Sequence, residues 1–334
     1  MTLFGPEDKL QIIAFKSYGT DTHFYAKGRA LEDEAIDLSK KGVFSLLYNS
    51  FKRFETDEVK HAQVQITFAD GRTVAGRTDD RGYYVIDKSM EGLSGLTNAE
   101  GWLRYEIAYA GGPFKKEILH QNRFSGELLL PSKTADFGVI SDIDDTILHT
   151  GVVSSLKWRV VLNTLFKTPY RRTPLKGASE FYNLLHRGTN GKKANPIFYV
   201  SHSPWNLYRY LDLFLQKNKF PKGPILLRNF PRISLRRRPK EKPQKQNEIL
   251  QILRTYPGLP FILIGDSGEH DPDIYKEIAE MKPNRILAIY LRSVAHRAKM
   301  ERVKGLFKGY GHTPVLLVES SQEAMAHAQR NGYL

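Results

Sequence analysis

The 334-residue sequence predicts a two-part α/β protein, a small β-sandwich followed by a doubly wound parallel sheet with helices on both faces. Three observations predict it. Over residues 1–135, short stretches alternate apolar and polar residues with a period of two and are separated by Asp- and Gly-containing turns. From residue 136 onward, near-continuous apolar runs alternate with helical stretches, the pattern of a parallel sheet buried on both faces. The charge divides at the same place. Residues 1–135 carry 18 Lys+Arg against 19 Asp+Glu, residues 136–334 carry 32 against 17, and the net charge of +14 therefore lies wholly in the second part. A basic half of that kind is expected to meet something anionic, such as phosphate, nucleic acid or an acidic membrane.

In the first part, strands are expected at residues 23–31, 102–110 and 126–130, with a helix near residues 42–54 (GVFSLLYNSFKRF). His61 to Phe68 (HAQVQITF) sets Ala62, Val64, Ile66 and Phe68 on one face of a further strand. Asp70-Gly71 is a hairpin signal leading into RTVAGRT, and Asp80-Arg81-Gly82 is a second turn leading into YYVID. The TxxxGYY turn between short strands resembles that of transthyretin-like or carboxypeptidase-regulatory sandwich modules. No catalytic constellation is visible in this part.

In the second part the expected strands are FGVIS, PIFYVS, FILIGD, RILAIYLR and PVLLVES. Ser203 before Pro204 is a capping pair for the helix WNLYRYLDLFL. VVSSLKWRVVLNTLF, residues 152–166, is apolar enough to touch lipid, though a core helix explains it as well. Arg228 to Lys245 (RNFPRISLRRRPKEKPQK) holds eight basic residues, one Glu and three prolines, a loop by composition.

The chemistry stands at the strand ends, where ligands bind in such sheets. The first run ends in Asp142-Ile143-Asp144-Asp145-Thr146, the second in Ser201-His202-Ser203-Pro204, the third in Gly265-Asp266-Ser267-Gly268-Glu269-His270-Asp271. Carboxylates packed as tightly as Asp142, Asp144 and Asp145 repel one another unless a metal ion, a phosphoryl group or a set of turn amides compensates them.

This order resembles the haloacid-dehalogenase superfamily of phosphohydrolases, with its DxDxT, strand-terminal hydroxyl, lysine and GDxxxxD elements in sequence. DIDDTILHTG, RRTPLKG (Arg171 to Gly177), FYVSHSPWNLY, FILIGDSGEHDPDIY and the N-terminal FKSYGT and GRAL are more narrowly similar to the actin-patch-type phosphatidate phosphatase family, whose members share a lipin-like catalytic core. The resemblance implies Mg²⁺-dependent hydrolysis of phosphatidate to diacylglycerol. It matches Asp142 and Asp144 to the paired catalytic aspartates, Thr146 to the threonine that follows, Ser201 to the hydroxyl, Lys245 to the lysine, and Asp266 with Asp271 to the final acidic pair. Asp142 is then the expected nucleophile and Asp144 the acid and base. Asp142, the backbone carbonyl of Asp144, and Asp266 are the expected Mg²⁺ ligands, with Asp271 directly or one step removed.

Other residues near the motifs read more plainly. Asp145 reads as a turn or capping residue, His202 and His270 as structural or solvent-facing, Ser267 and Glu269 as loop scaffolding, and His149 has no assigned role. Arg236, Arg237 and Arg238 could meet an anionic membrane, each contributing roughly 1 kcal/mol. Phe230 alone is aromatic in that run, which argues against a base-stacking nucleic-acid surface.

Asp142 to Ser201 spans 59 positions and Ser201 to Lys245 spans 44, neither of which readily holds a separate cap domain. An open site suits a substrate embedded in a larger body, and a phospholipid at a membrane surface is the expected partner. Two alternatives stay open: the same chemistry on a phosphoprotein, a nucleic-acid end or a soluble ester, and a non-catalytic phosphatidate sensor. Without cysteine there is no disulfide framework, zinc–thiolate site or thiol nucleophile. With early charges at the N-terminus and no run of ~20 apolar residues, a soluble, cytoplasmic protein, peripheral to a membrane at most, is expected.

Overall fold

The computed structural model describes residues 9–33, 58–143, 177–228, 243–268, 270–294 and 296–334. The expected helices near 42–54 and 152–166, and Asp144, Asp145, Thr146, His149, Arg236, Arg237, Arg238 and Glu269, lie outside the described residues. The chain divides into two compact units, Met1–Pro131 and Ser132–Leu334.

The first unit is β-rich. Its strands are β1 (Lys9–Phe15), β2 (Ser17–Tyr18), β3 (His23–Asp33), β4 (Gln63–Phe68), β5 (Thr73–Arg77), β6 (Tyr83–Ser89), β7 (Trp102–Ala110) and β8 (Phe124–Leu129). A three-stranded antiparallel sheet runs β1-β3-β6, and a five-stranded sheet runs β2-β8-β7-β4-β5. The period-two pattern works as its chemistry requires: Val64, Ile66 and Phe68 are buried while Gln63 and Gln65 face solvent. Both sheets feed one core, in which the Phe24 ring of β3 meets the edges of Phe68 and Tyr105 from the other sheet at 4.9 and 5.5 Å. The Asp70-Gly71 turn closes the β4–β5 hairpin, with Gly71 at φ +85°. The Asp80–Gly82 turn does more than a hairpin, because β6 leaves the sheet of β5 and pairs with β3 in the other one. Asp79 steadies that crossing, its Oδ1 accepting from the amides of Arg81 and Tyr83 at 2.8 and 2.9 Å.

The second unit is built on β9 (Gly138–Asp142), β10 (Ile197–Pro204), β11 (Ile225–Arg228), β12 (Phe261–Asp266), β13 (Ile286–Arg292) and β14 (Val315–Val318). Between and after them lie α1 (Ala178–Arg187), α2 (Tyr208–Lys217), α3 (Gln244–Thr255), α4 (Asp271–Met281), α5 (Arg297–Leu306) and α6 (Ser321–Arg330). The six strands lie in the order β11-β10-β9-β12-β13-β14, and every neighbouring pair is parallel. All five residues of β9 and all six of β12 are buried, which is why these runs are apolar without alternation. Helix α1 packs on α6, whereas α3 packs on α4 and α4 on α5.

From β9 the chain steps outward to β10 and β11, then returns to β12 on the other side of β9. The direction of winding reverses between β9 and β12, and in such sheets the crevice at the reversal, outside the carboxyl ends of the strands, is where ligands bind. Asp142 and Asp266 are the last residues of those two strands.

In the first unit, the Tyr105 ring lies flat over Gly126, its partner on the neighbouring strand, where an added Cβ would come 2.1 Å from Cε2. Tyr105 also supports Phe24, so displacing it disturbs the core that joins the two sheets. Gly126→Ala is expected to destabilise this unit by about 1–3 kcal/mol, read as a lower melting temperature. An unchanged melting temperature would show that Tyr105 can turn aside at little cost.

Candidate active site

Five of the residues singled out from the sequence, Asp142, Ser201, Lys245, Asp266 and Asp271, are described, and all are buried. Asp142 ends β9. Lys245 is the second residue of α3, Asp266 ends β12, and Asp271 opens α4.

The centre of the arrangement is the Lys245 ammonium. Its Nζ lies 2.6 Å from Asp142 Oδ1 and 2.5 Å from Asp271 Oδ1, with the three side chains 0–1% exposed. Burial alone lowers the pKa of an ammonium. Here the Asp142 and Asp271 carboxylates outweigh that effect and hold Lys245 above its ordinary value, so it stays charged throughout the neutral range. Lys245 falls within the basic run read from sequence as a loop, and the structure corrects that reading at both ends. Arg228 closes β11, and Pro243 caps a helix that begins at Gln244.

Around β12 the chain is tightly drawn. Asp271 Oδ2 accepts the Asp266 amide at 3.2 Å, so this carboxylate holds Lys245 with one oxygen and the strand end with the other. Gly265 permits that approach: a Cβ there would fall 2.5 Å from Asp271 Oδ2 and 2.7 Å from the Tyr275 ring. Asp266 Oδ1 accepts the Gly268 amide at 2.6 Å. Two tyrosines brace the strands beneath. Tyr275 donates to the Ile264 carbonyl at 2.9 Å, and the Tyr182 and Ser141 hydroxyls lie 2.5 Å apart, with Ser141 also donating to the Asp142 carbonyl. Burial pushes both phenols up, so they remain neutral. Neither tyrosine stands out in the sequence, where each looks like an ordinary core residue of an amphipathic helix.

Ser201 lies beyond Val200 on β10, and its Oγ accepts the Ser203 amide at 2.9 Å. It shares a small recess with His202, Gln244, Lys245 and Glu248. The recess brings the hydroxyl and the lysine of the sequence motif together and adds Gln244 and Glu248, which sequence reading missed. Their spacing around Lys245 on one helix face was the signal available. Ser203 does not cap the following helix as expected: β10 runs through it to Pro204, which precedes a short 3₁₀ turn with no side-chain cap. Ser267 is scaffolding, its Oγ donating to the Arg292 carbonyl at 2.5 Å, and His270 sits at the N-cap position of α4.

The donors present suit a hard cation. Asp142 and Asp266 offer buried carboxylate oxygens at the ends of adjacent strands, with no thiolate in the chain. Among the described residues no three His, Cys, Asp or Glu side chains converge on one point, and Asp144 stands outside those residues.

Residues 137–293 match the family described as "Phosphatidate phosphatase APP1, catalytic domain". Over 159 residues the chain is 38% identical to the phosphatidate phosphatase APP1 of Saccharomyces cerevisiae, an alignment covering 46% of this chain and 25% of that one. Over 271 residues it is 26% identical to an uncharacterized protein of Schizosaccharomyces pombe, covering 81% of this chain and 41% of that one. The chain thus spans well under half the length of either relative. A crystal structure of Bacteroides thetaiotamicron EndoBT-3987 with its Man5GlcNAc product aligns with 91% of this chain and 69% of that one at 11% identity, but with a TM-score of 0.20 it carries no argument about fold. The match begins at the strand that delivers Asp142 and ends one residue past the strand that follows Asp266, so it takes in Ser201, Lys245 and Asp271 as well. Through residues 137–293, the chain is similar to the APP1-type phosphatidate phosphatase catalytic domain.

Proposed function

We propose that this chain hydrolyses phosphatidate to diacylglycerol and phosphate, with Mg²⁺ and through an aspartyl-phosphate on Asp142. The observation that carries the reading is the buried Lys245 ammonium, held between Asp142 and Asp271 at the carboxyl edge of the sheet, inside the stretch that matches the family. Support for a haloacid-dehalogenase-like doubly wound sheet comes from the all-parallel strand order, which reverses between the two acid-bearing strands, and from the separation of α1 and α6 from the α3–α4–α5 set.

A phosphate monoester resists hydrolysis because an anionic nucleophile must approach an anionic phosphoryl group. A carboxylate nucleophile splits the reaction into two easier displacements. In this reading Asp142 attacks phosphorus in line, the P–O bond to the glyceride breaks, and the Asp144 carboxyl gives its proton to the leaving alkoxide. Asp144 then takes a proton from the water that releases phosphate. Lys245 places fixed positive charge beside the attacking oxygen, and Ser201, across the recess, donates to a phosphoryl oxygen. Thr146 is assigned the place of the threonine that follows the paired aspartates. Mg²⁺ would neutralise phosphoryl charge, held by Asp142, the backbone carbonyl of Asp144 and Asp266. We assign Asp271 to orienting Lys245 and the end of β12, since both its oxygens are engaged there. The substrate is a phospholipid met at a membrane surface, and Arg236, Arg237 and Arg238 are the residues proposed to meet anionic headgroups there.

Phosphate release from phosphatidate in mixed micelles is expected with Mg²⁺, and is expected to vanish with EDTA or in Asp142→Asn. Release from a soluble ester alone would retain the chemistry and discard the lipid, and release from neither would favour a phosphatidate-binding sensor. Lys245→Met leaves two buried carboxylates facing each other and is expected to cost about 3–5 kcal/mol of stability, read by chemical denaturation without metal. A variant as stable as the wild type would show that the ion pairs contribute nothing to holding the site closed.

A further inference from the structure

Helix α5 follows the strand next to β12 and carries no residue of the proposed chemistry, yet it reaches back to the turn that holds Asp266. Lys299, in its first turn, donates from Nζ to the Gly268 carbonyl at 2.6 Å. Gly268 is the residue whose amide fixes Asp266 Oδ1, also at 2.6 Å. A second hold comes from the neighbouring residue: the Ser267 amide and hydroxyl both donate to the Arg292 carbonyl, and the hydroxyl lies 3.3 Å from Met300 Sδ. The turn cannot be relieved by substitution, because a Cβ on Gly268 would fall 2.8 Å from Asp266 Oδ1 and 3.1 Å from Val294 Cγ1.

We infer that Lys299 is a positioning residue, which fixes the 266–268 turn through the Gly268 carbonyl and so sets the Asp266 carboxylate for a divalent cation. The inference rests on the proposed metal site. A charge-assisted hydrogen bond this short is about twice as strong as a neutral one. Among the described residues, two charged side chains from other elements hold the turn, Asp271 through the Asp266 amide and Lys299 through the Gly268 carbonyl. Lys299 also brings a positive charge near that carboxylate, and this charge by itself disfavours a bound cation. The two effects have opposite signs, which makes them separable. If positioning dominates, removing the lysine weakens cation binding; if charge dominates, removing it tightens binding. Partners that orient a metal ligand typically change affinity 10–100-fold when lost.

The test is Mn²⁺ affinity of the whole chain, from the electron paramagnetic resonance signal of free Mn²⁺, for wild type, Lys299→Met, Lys299→Arg and Asp266→Asn. Melting temperatures are recorded alongside. We expect Lys299→Met to bind about tenfold more weakly and Lys299→Arg to recover most of the affinity, with melting temperatures little changed. Equal or tighter binding by Lys299→Met, while Asp266→Asn loses the ion, would overturn the role of Lys299 and leave the metal site standing. If Lys299→Met unfolds, failure of a folded Lys299→Arg variant to bind as the wild type does would overturn it equally. Absence of Mn²⁺ binding in the wild type would remove the metal site and this inference with it.

Discussion

A lysine ammonium held between two buried aspartates is the constraint around which the second unit is arranged. Three formal charges stand out of solvent with one excess negative charge among them. Such an arrangement persists only if each partner is delivered to within about 3 Å and the remaining lone pairs find donors. Each local oddity of the chain serves that delivery. Helix α3 starts one residue before Lys245, Gly265 lacks the side chain that would push Asp271 away, and the second oxygen of Asp271 takes up the Asp266 amide.

The sheet order explains why these groups meet although they are distant in sequence. With β9 and β12 adjacent and parallel, Asp142 and Asp266 emerge on the same edge. Helices α3 and α4 precede and follow β12 in the chain, so Lys245 and Asp271 are delivered by the two segments that flank one strand. The β-rich first unit has its own aromatic core, and the residues of this constellation named above all belong to the second unit.

Much of this was legible in the sequence, for physical reasons. Strands β4 and β7 announce themselves because one face is wet, and β9 and β12 because neither is. The strand-end carboxylates stand out because charge directly after a buried run is costly and so needs a reason. What was hidden depended on tertiary context. Strand β11 has only four residues, and β1 alternates only over Lys9 to Ile12 before three consecutive apolar residues blur the pattern. Lys245 sat inside a segment whose composition is that of a loop, because seven other cations nearby swamp the start of a helix. The crossing of β6 to the other sheet, and the reach of Ser203 back to Ser201, are choices between conformations that local sequence permits equally.

The placement of Asp142 and Asp266 on the central pair of strands bears on how the chain breathes. Backbone amides at the middle of a sheet exchange with solvent only through openings close to global unfolding, whereas loops exchange through local ones. The groups on which the chemistry depends are therefore rooted in the segments slowest to exchange. Thermal fluctuation confined to surface segments leaves the spacing of these carboxylates untouched until the sheet itself comes apart.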